Sequence, residues 1–177
     1  RTGIQESTEF IQAESGGAFT WEEVALYRDA WRGPLLIKGV LHPEDAKRAI
    51  AAGIDGLVVT NHGGRQIDAL PASIDALPVI SEQVNGKAEI IVDSGIRSGV
   101  DVARAIALGA NAGFSGKAFL WSLGALGARG PGHLINLFKD DLSATLGQLG
   151  CHCVEDLRAV TVRHPGAYSR DDFSSLD

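Results

Sequence analysis

Two segments of this chain, 56 residues apart, carry the same pattern of a short helix followed by glycine. Residues 45–53 and 101–109 are identical at six of nine positions, and both end in glycine. Each pattern is typical of a helix that stops at the glycine and leads into a short apolar strand. Repeated helix–strand units indicate a parallel sheet with right-handed crossovers, which belongs to the α/β class. Convergent helix composition is the alternative, and the shared glycine argues against it.

Four apolar runs alternate with helical patterns and predict the strands of this sheet. The predicted strands are 35–40, 57–60, 89–93 and 112–116, and the predicted helices are 20–31, 43–52, 100–108, 133–148 and 154–160, with a loop and a helix over 61–84. Thr20 and Glu23 have the spacing of a capping box, and Pro43 suits a first helical turn. We expect Gly130-Pro131-Gly132 to form a loop before an amphipathic helix with Leu134 and Leu137 on its apolar face.

The number of strands predicts half of a (β/α)8 barrel. A complete barrel needs eight strands and about 250 residues, whereas this chain has 177 residues. The chain contains no methionine and begins with Arg1, so we expect a piece of a longer polypeptide. We divide it into a loop remnant or flexible arm at 1–18, the β/α units with the functional site at 19–124, and closing helices with a C-terminal tail at 125–177.

Composition narrows the classes of function. The net charge of −6 gives no basic footprint for nucleic acid. No apolar run reaches the length of about 18 residues that a membrane span requires, the nearest being 118–128. Cys151 and Cys153 flank His152 with no second ligand cluster nearby, so we predict free thiols and no metal site. With no visible signal peptide, the interpretation is a cytoplasmic protein, with peripheral membrane association as the alternative.

Polar residues and glycines stand at the carboxyl ends of the predicted strands, where α/β barrels place their active sites. In strand order they are Lys38; then Thr60, His62 and Arg65; then Asp93, Ser94, Gly95 and Arg97; and finally Gly116 and Lys117. His62 can accept a proton near neutral pH, and Arg65 can hold a carboxylate by two parallel hydrogen bonds. This pair predicts a site for a small organic acid, whereas the alternative is a surface turn.

The last two strand ends predict an anion site. Gly95 and Gly116 let backbone amides approach an oxygen, while Arg97 and Lys117 supply positive charge, as in the phosphate sites of many barrels. Asp93 suits a sugar or ribityl hydroxyl, and with Lys38 nearby the set suggests flavin mononucleotide (FMN). The alternatives are a lysine snorkelling at a strand end and an Arg97 ion pair with an acid such as Asp101.

Three motifs together resemble the FMN-dependent 2-hydroxy acid oxidases and dehydrogenases. They are Leu36-Ile37-Lys38-Gly39, Thr60-Asn61-His62-Gly63-Gly64-Arg65-Gln66, and Asp93-Ser94-Gly95-Ile96-Arg97 with Gly116-Lys117. The resemblance covers roughly residues 19–160 and implies the C-terminal half, about strands 5–8, of a TIM barrel. It also implies oxidation of an L-2-hydroxy acid, similar to lactate, glycolate or mandelate, to the 2-oxo acid.

The resemblance implies a role for each residue at the strand ends. His62 is the base and Arg65 the carboxylate clamp. Lys38 stabilises negative charge on the reduced flavin. The remaining FMN contacts are Thr60, Asp93, Ser94, Gly95, Arg97, Gly116 and Lys117. The family usually has arginine where this chain has Lys117, which keeps the charge but loses the bidentate fork.

The family implies partners as well, and two other functions stay open. The expected partners are the small hydroxy acid, the N-terminal half of the barrel as a separate or missing segment, and further copies in a homo-oligomer such as a tetramer. One alternative is a non-redox, phosphate-binding TIM-barrel enzyme. The other is an inactive half-barrel fragment.

Overall fold

The computed structural model describes residues 19–173, so the predicted arm at 1–18 and the last residues, 174–177, lie outside it. The described residues fall into two compact units, divided between Pro34 and Leu35. The predicted division near residue 124 stays a prediction.

The described part of the first unit, residues 19–34, contains helix α1 (Trp21–Ala30), and the start of this helix confirms the predicted capping box. Thr20 Oγ1 accepts a hydrogen bond from the Glu23 amide at 3.3 Å, and Glu23 Oε2 accepts one from the Thr20 amide at 2.7 Å. The two bonds satisfy amides that would otherwise lack an intrahelical partner.

The second unit is a four-stranded parallel sheet with helices in its crossovers. Its elements are β1 (Leu36–Val40), α2 (Pro43–Ala51), β2 (Gly56–Val59), α3 (Ser73–Val84), β3 (Glu89–Asp93), α4 (Gly99–Ala107), β4 (Ala112–Phe114), α5 (Lys117–Leu126) and α6 (Gly130–Leu149), with short 3-10 turns at Val154–Ala159 and Arg170–Phe173. The strand order is β1-β2-β3-β4, and every pairing is parallel. The predicted α/β class and its four strands are confirmed.

The repeat proposed from the sequence is a repeat in the structure. Helices α2 and α4 end with the same hydrogen bond, from Ile54 N to Ala49 O and from Ala110 N to Ala105 O, each at 3.0 Å. Gly53 and Gly109, at the shared offset, have φ of 75° and 109°. Only glycine adopts such values without strain, so each glycine turns the chain from its helix into the next strand.

Strand β2 is buried along its whole length, as predicted for a strand covered on both faces. The fully buried side chains around it are Leu57, Val59, Leu77, Ile80, Val84 and Val92. The outer strands are more open, since Leu36 is 43% exposed and Phe114 47% exposed. The sheet therefore has a closed centre and two open edges.

A bulge interrupts β1 at the point where its functional lysine stands. Lys38 pairs with Val58 and Val40 pairs with Val59, so Gly39 is an extra residue in the register. Its φ of 112° suits glycine. The bulge lets Lys38 face the pocket at the strand end while Val40, 3% exposed, enters the core.

One sequence prediction about the last helices was wrong. Gly130-Pro131-Gly132 is the first turn of α6 rather than a loop, because proline is tolerated where an amide has no helical partner. Gly130 lies against the Ser122 backbone of α5, where a Cβ atom would not fit. Leu134 is buried and Leu137 is 50% exposed, and both line one shallow apolar pocket, which agrees with the predicted shared apolar face.

The segment after residue 160 packs on the first turn of α3. His164 Nε2 lies 2.6 Å from Asp75 Oδ1, and Tyr168 N donates to Asp75 O at 3.0 Å. Phe173 then contacts the His42 ring, edge to face, at 4.7 Å between centroids. This segment fixes the helix start that also carries Ser73.

No helix within residues 19–173 is both long and apolar enough to cross a membrane.

Candidate active site at the carboxyl ends of the strands

A pocket of about 470 Å³ lies at the carboxyl ends of all four strands. Nine of the ten predicted site residues line it: Lys38, His62, Arg65, Asp93, Ser94, Gly95, Arg97, Gly116 and Lys117. Thr60, the tenth, is 2% exposed and lies behind the wall. The fold therefore brings together groups from segments that are up to 79 residues apart in sequence.

The loop after β2 makes a left-handed turn. His62, Gly63 and Gly64 have φ of 58°, 68° and 71°, and Gly64 N donates to Asn61 O at 3.1 Å. The two glycines adopt this conformation freely, whereas a side-chain-bearing residue loses about 1–2 kcal/mol in it. Other contacts must therefore hold His62 in place.

Hydrogen bonds from three directions supply those contacts. His62 N donates to Thr60 Oγ1 at 3.0 Å, and Gly63 N donates to Asn61 Oδ1 at 3.0 Å and to Ser94 Oγ at 2.8 Å. Ser73 Oγ, at the start of α3, accepts from Asn61 N at 3.1 Å. The His62 backbone is thus attached to β2, to α3 and to the loop after β3.

Lys38 and Asp93 form an ion pair across the sheet, with Nζ 3.1 Å from Oδ2. Asp93 Oδ2 also accepts from Thr60 Oγ1 at 3.1 Å, and Oδ1 accepts from Ser94 N at 2.8 Å. The carboxylate is 20% exposed and the lysine 46% exposed. The ammonium therefore remains accessible from the pocket while Asp93 sets its position.

Among residues 19–173, the His62 ring and the Arg65 guanidinium form no hydrogen bond or ion pair with another side chain. Both groups line the pocket. A ring nitrogen that can take a proton and a fork that can hold a carboxylate are thus available on the same side of the loop.

The anion end of the pocket differs from the sequence interpretation in its details. Asp101 Oδ2 accepts from the Arg97 backbone amide, and Asp101 Oδ1 pairs with Arg104 at 3.2 Å, so the alternative Arg97–Asp101 side-chain pair does not form. The Arg97 guanidinium lies instead over the Trp121 ring, 5.8 Å from its centroid. Lys117 Nζ donates to Gly63 O at 3.0 Å, which joins the start of α5 to the histidine loop.

Sequence reasoning missed three residues that shape the site: Asn61, Ser73 and Trp121. Asn61 stands inside the quoted motif, and an asparagine two residues before a pair of glycines is a recognisable turn signal. Ser73 gives no local signal, because its partner lies 12 residues away. Trp121 is one helical turn beyond Lys117, and only the packing of α5 brings it to Arg97.

The cysteines lie outside this pocket and are free thiols. The backbone hydrogen bond with Asp156 lowers the pKa of the Cys153 thiol, but its contacts with the Glu155 and Asp156 carboxylates raise the pKa overall. The thiol therefore stays protonated at neutral pH, which disfavours a role as nucleophile.

Residues 19–173 contain no cluster of histidine, cysteine or carboxylate side chains suited to a metal ion.

The pocket fits a phosphate-bearing flavin. At Gly95 and Gly116 a Cβ atom would meet nothing within 4 Å, so open space reaches the backbone at both strand ends. Gly116 also precedes α5, whose first amides receive no side-chain cap. Lys38, Arg97 and Lys117 bring three positive charges to the same pocket. These are groups that can hold a dianionic phosphate and stabilise negative charge on a reduced flavin ring.

Comparison with known families decides between the possible phosphate-binding barrels. The model of the FMN-dependent dehydrogenase family matches residues 1–164. This chain belongs to the FMN-dependent dehydrogenase family. The resemblance found in the motifs is confirmed, as are the fold class, part of a TIM barrel, and the expected cofactor, FMN.

Relatives of this family member include bacterial L-lactate dehydrogenases. The enzyme of Xanthomonas axonopodis pv. citri (strain 306) is 42% identical over 158 residues, which cover 89% of this chain and 41% of the relative. That of Alcaligenes faecalis is 39% identical over 165 residues, 93% of this chain and 44% of the relative. The chain thus spans about two fifths of the length of these relatives.

Solved structures of mandelate oxidase share the fold. The complex with benzoyl-formic acid is 42% identical, has a TM-score of 0.78, and is matched over 82% of this chain and 43% of that chain. At this level of identity the family member and the oxidase share both backbone architecture and sequence.

Proposed function

We propose that this chain carries the flavin and substrate site of an enzyme that oxidises an L-2-hydroxy acid to the 2-oxo acid. The observation that supports it best is the single pocket lined by Lys38, His62, Arg65 and the two glycine-bearing strand ends, in a member of an FMN-dependent family. The substrate class is that of lactate, glycolate and mandelate. The names of the relatives, L-lactate dehydrogenase and mandelate oxidase, support this choice.

In this proposal each side chain acts through its position in the pocket. Arg65 holds the substrate carboxylate by two hydrogen bonds, which orients the 2-hydroxy carbon towards His62. His62 then takes a proton from the substrate as general base. FMN, when bound, would accept the two electrons together with the second proton, so that the CH–OH group loses two electrons and two protons in all. Lys38, held by Asp93, stabilises negative charge that develops on the ring.

The remaining groups would hold the cofactor. We assign its phosphate to Arg97, Lys117 and the backbone at Gly95 and Gly116, and its ribityl hydroxyls to Asp93. The hydroxyls of Thr60 and Ser94, which the family resemblance also assigned to FMN, are hydrogen-bonded within the protein. Their contribution is therefore to the wall behind the site.

The test is reduction of the bound flavin by substrate. We expect the complete protein to absorb as an oxidised flavin and to lose that absorption, without oxygen, when L-lactate or L-mandelate is added but not with the D-enantiomers. A protein that binds phosphate esters but no flavin would support the non-redox alternative. Bound flavin that no 2-hydroxy acid reduces would contradict the proposed reaction.

We also propose that an N-terminal half-barrel covers the open edges of this sheet, and that the complete protein forms a homo-oligomer such as a tetramer. The exposure of Leu36 and Phe114 on the outer strands, and of Leu120 (66%) on α5, supports a covering partner. We expect the 177-residue chain alone to self-associate in sedimentation and to become monodisperse when the N-terminal half is co-expressed. A monodisperse monomer of the chain alone would contradict this.

The cytoplasmic location stays a prediction, and recovery of the protein in salt-washed membranes would count against it.

A further inference from the structure

The backbone of Gly63 is held at both its N–H and its carbonyl group. Its N–H donates to Ser94 Oγ at 2.8 Å and to Asn61 Oδ1 at 3.0 Å. Its carbonyl accepts from Lys117 Nζ at 3.0 Å. Because Gly63 directly follows His62, these contacts also fix the backbone from which the imidazole extends.

Ser94 adopts an unfavourable backbone conformation where it makes this contact. Its φ of 81° lies in the left-handed region, which glycine enters freely and other residues rarely. Within residues 19–173 only His62, Asn85 and Ser94 are non-glycine residues with positive φ. Two of these three, His62 and Ser94, are joined by the hydrogen bond from Gly63 N to Ser94 Oγ. Glycine would adopt this φ without strain, but it has no hydroxyl group. We therefore ask what the hydroxyl of Ser94 does.

The direction of the hydrogen bonds follows from the chemistry of the two ends. The Gly63 amide can only donate, so Ser94 Oγ accepts from it. Thr60 Oγ1 accepts from His62 N and gives its own hydrogen to Asp93 Oδ2, because an ionised carboxylate can only accept. Since the Thr60 hydrogen is engaged there, Ser94 donates in the contact of 3.0 Å between Ser94 Oγ and Thr60 Oγ1. One relay therefore connects the amides of His62 and Gly63 with Asp93.

We propose that Ser94 is a positioning residue, which aims His62 through Gly63 and Thr60, and is not a ligand of FMN. The hydroxyl has its hydrogen and one lone pair engaged inside the protein, on groups that belong to the histidine loop. The same relay ends on the carboxylate that holds Lys38, so the base and the flavin-side lysine share one support. The inference rests on the proposed function only in naming His62 as the base.

Two substitutions separate the hydroxyl from the backbone strain. Ser94→Ala removes the hydroxyl and keeps the strained φ, whereas Ser94→Gly removes both. In both variants we expect amide hydrogen exchange at Gly63 to accelerate about tenfold, and kcat to fall about fivefold to tenfold, as for the loss of one or two hydrogen bonds. The dissociation constant for FMN and the KM for the hydroxy acid should change less than twofold. Ser94→Gly should melt at a higher temperature than Ser94→Ala, because glycine relieves the strain.

The matched control is Asn85→Gly. Asn85 is the other non-glycine residue with a left-handed φ, 47°, and it lies at the opposite end of α3. This variant should raise the thermal midpoint as a relief of strain does, yet leave exchange at Gly63 and kcat unchanged. The Asn85→Gly variant shows whether a change in thermal stability alone alters amide exchange at Gly63 or kcat.

The outcomes distinguish the possible roles of Ser94. A rise in the FMN dissociation constant with unchanged exchange at Gly63 would make Ser94 a cofactor ligand and overturn the proposal. Parental kcat and parental exchange in Ser94→Gly would also overturn it. If the parent protein binds no FMN or oxidises no hydroxy acid, the proposed function fails, while exchange at Gly63 still decides whether Ser94 holds the histidine loop.

Discussion

Replacing His62 with glutamine is expected to lower kcat with a 2-hydroxy acid by about 10²–10⁴-fold while FMN stays bound. A positioned general base contributes roughly this factor, and glutamine is similar in size but cannot take the proton. The flavin contacts lie on other strands, so the variant should keep the flavin absorption and the thermal midpoint of the parent. Stopped-flow reduction of the flavin by L-lactate or L-mandelate, without oxygen, measures the loss directly.

The matched control for this variant is His152→Gln. His152 is exposed and lies outside the pocket, so its replacement should leave flavin reduction unchanged. Reduction by His62→Gln at a rate near that of the parent would show that another group is the base. Loss of FMN from the variant would instead indicate that the histidine loop helps to hold the cofactor.

Replacing Arg65 with lysine is expected to raise the KM for the hydroxy acid by about tenfold to a hundredfold. Lysine keeps the charge but offers no planar fork, so one of two charge-assisted hydrogen bonds to the carboxylate is lost or misdirected. The effect should be much smaller on a neutral amide analogue of the substrate, which has no carboxylate to clamp. Steady-state kinetics with the acid and the amide, side by side, measure the difference.

The comparison variant is Arg48→Lys on α2, where the arginine is exposed and lies 3.9 Å from Glu44. It should leave both kinetic constants unchanged. An unchanged KM in Arg65→Lys would rule out the clamp, and an equal effect on acid and amide would show that Arg65 acts on the loop rather than on the carboxylate.

Much of this architecture was predictable because it depends on local pattern. The Thr20–Glu23 capping box, the buried strand β2 and the 56-residue repeat each follow from residues close together in the chain. The predicted strand ends were also enough to put His62, Arg65 and Lys38 at one edge of the sheet, because parallel strands all finish at the same edge.

What could not be predicted depends on contacts between distant segments. The bond from Asn61 N to Ser73 Oγ, and the position of Arg97 over Trp121, arise from tertiary packing and leave no local trace. The glycine–proline stretch at 130–132 was misread because these residues usually break helices. At a first turn the same residues are tolerated, and Gly130 is needed where α6 meets the α5 backbone.

The extra residue in β1 has a consequence for engineering. Counting alternate residues along this strand assigns Lys38 and Val40 to the same side, yet Lys38 lines the pocket and Val40 is buried. A chimaera that grafts this β/α unit into another barrel must therefore carry Gly39 with it. Deleting that single glycine would turn either the charged or the apolar side chain towards the wrong surroundings, however well the remaining residues were matched.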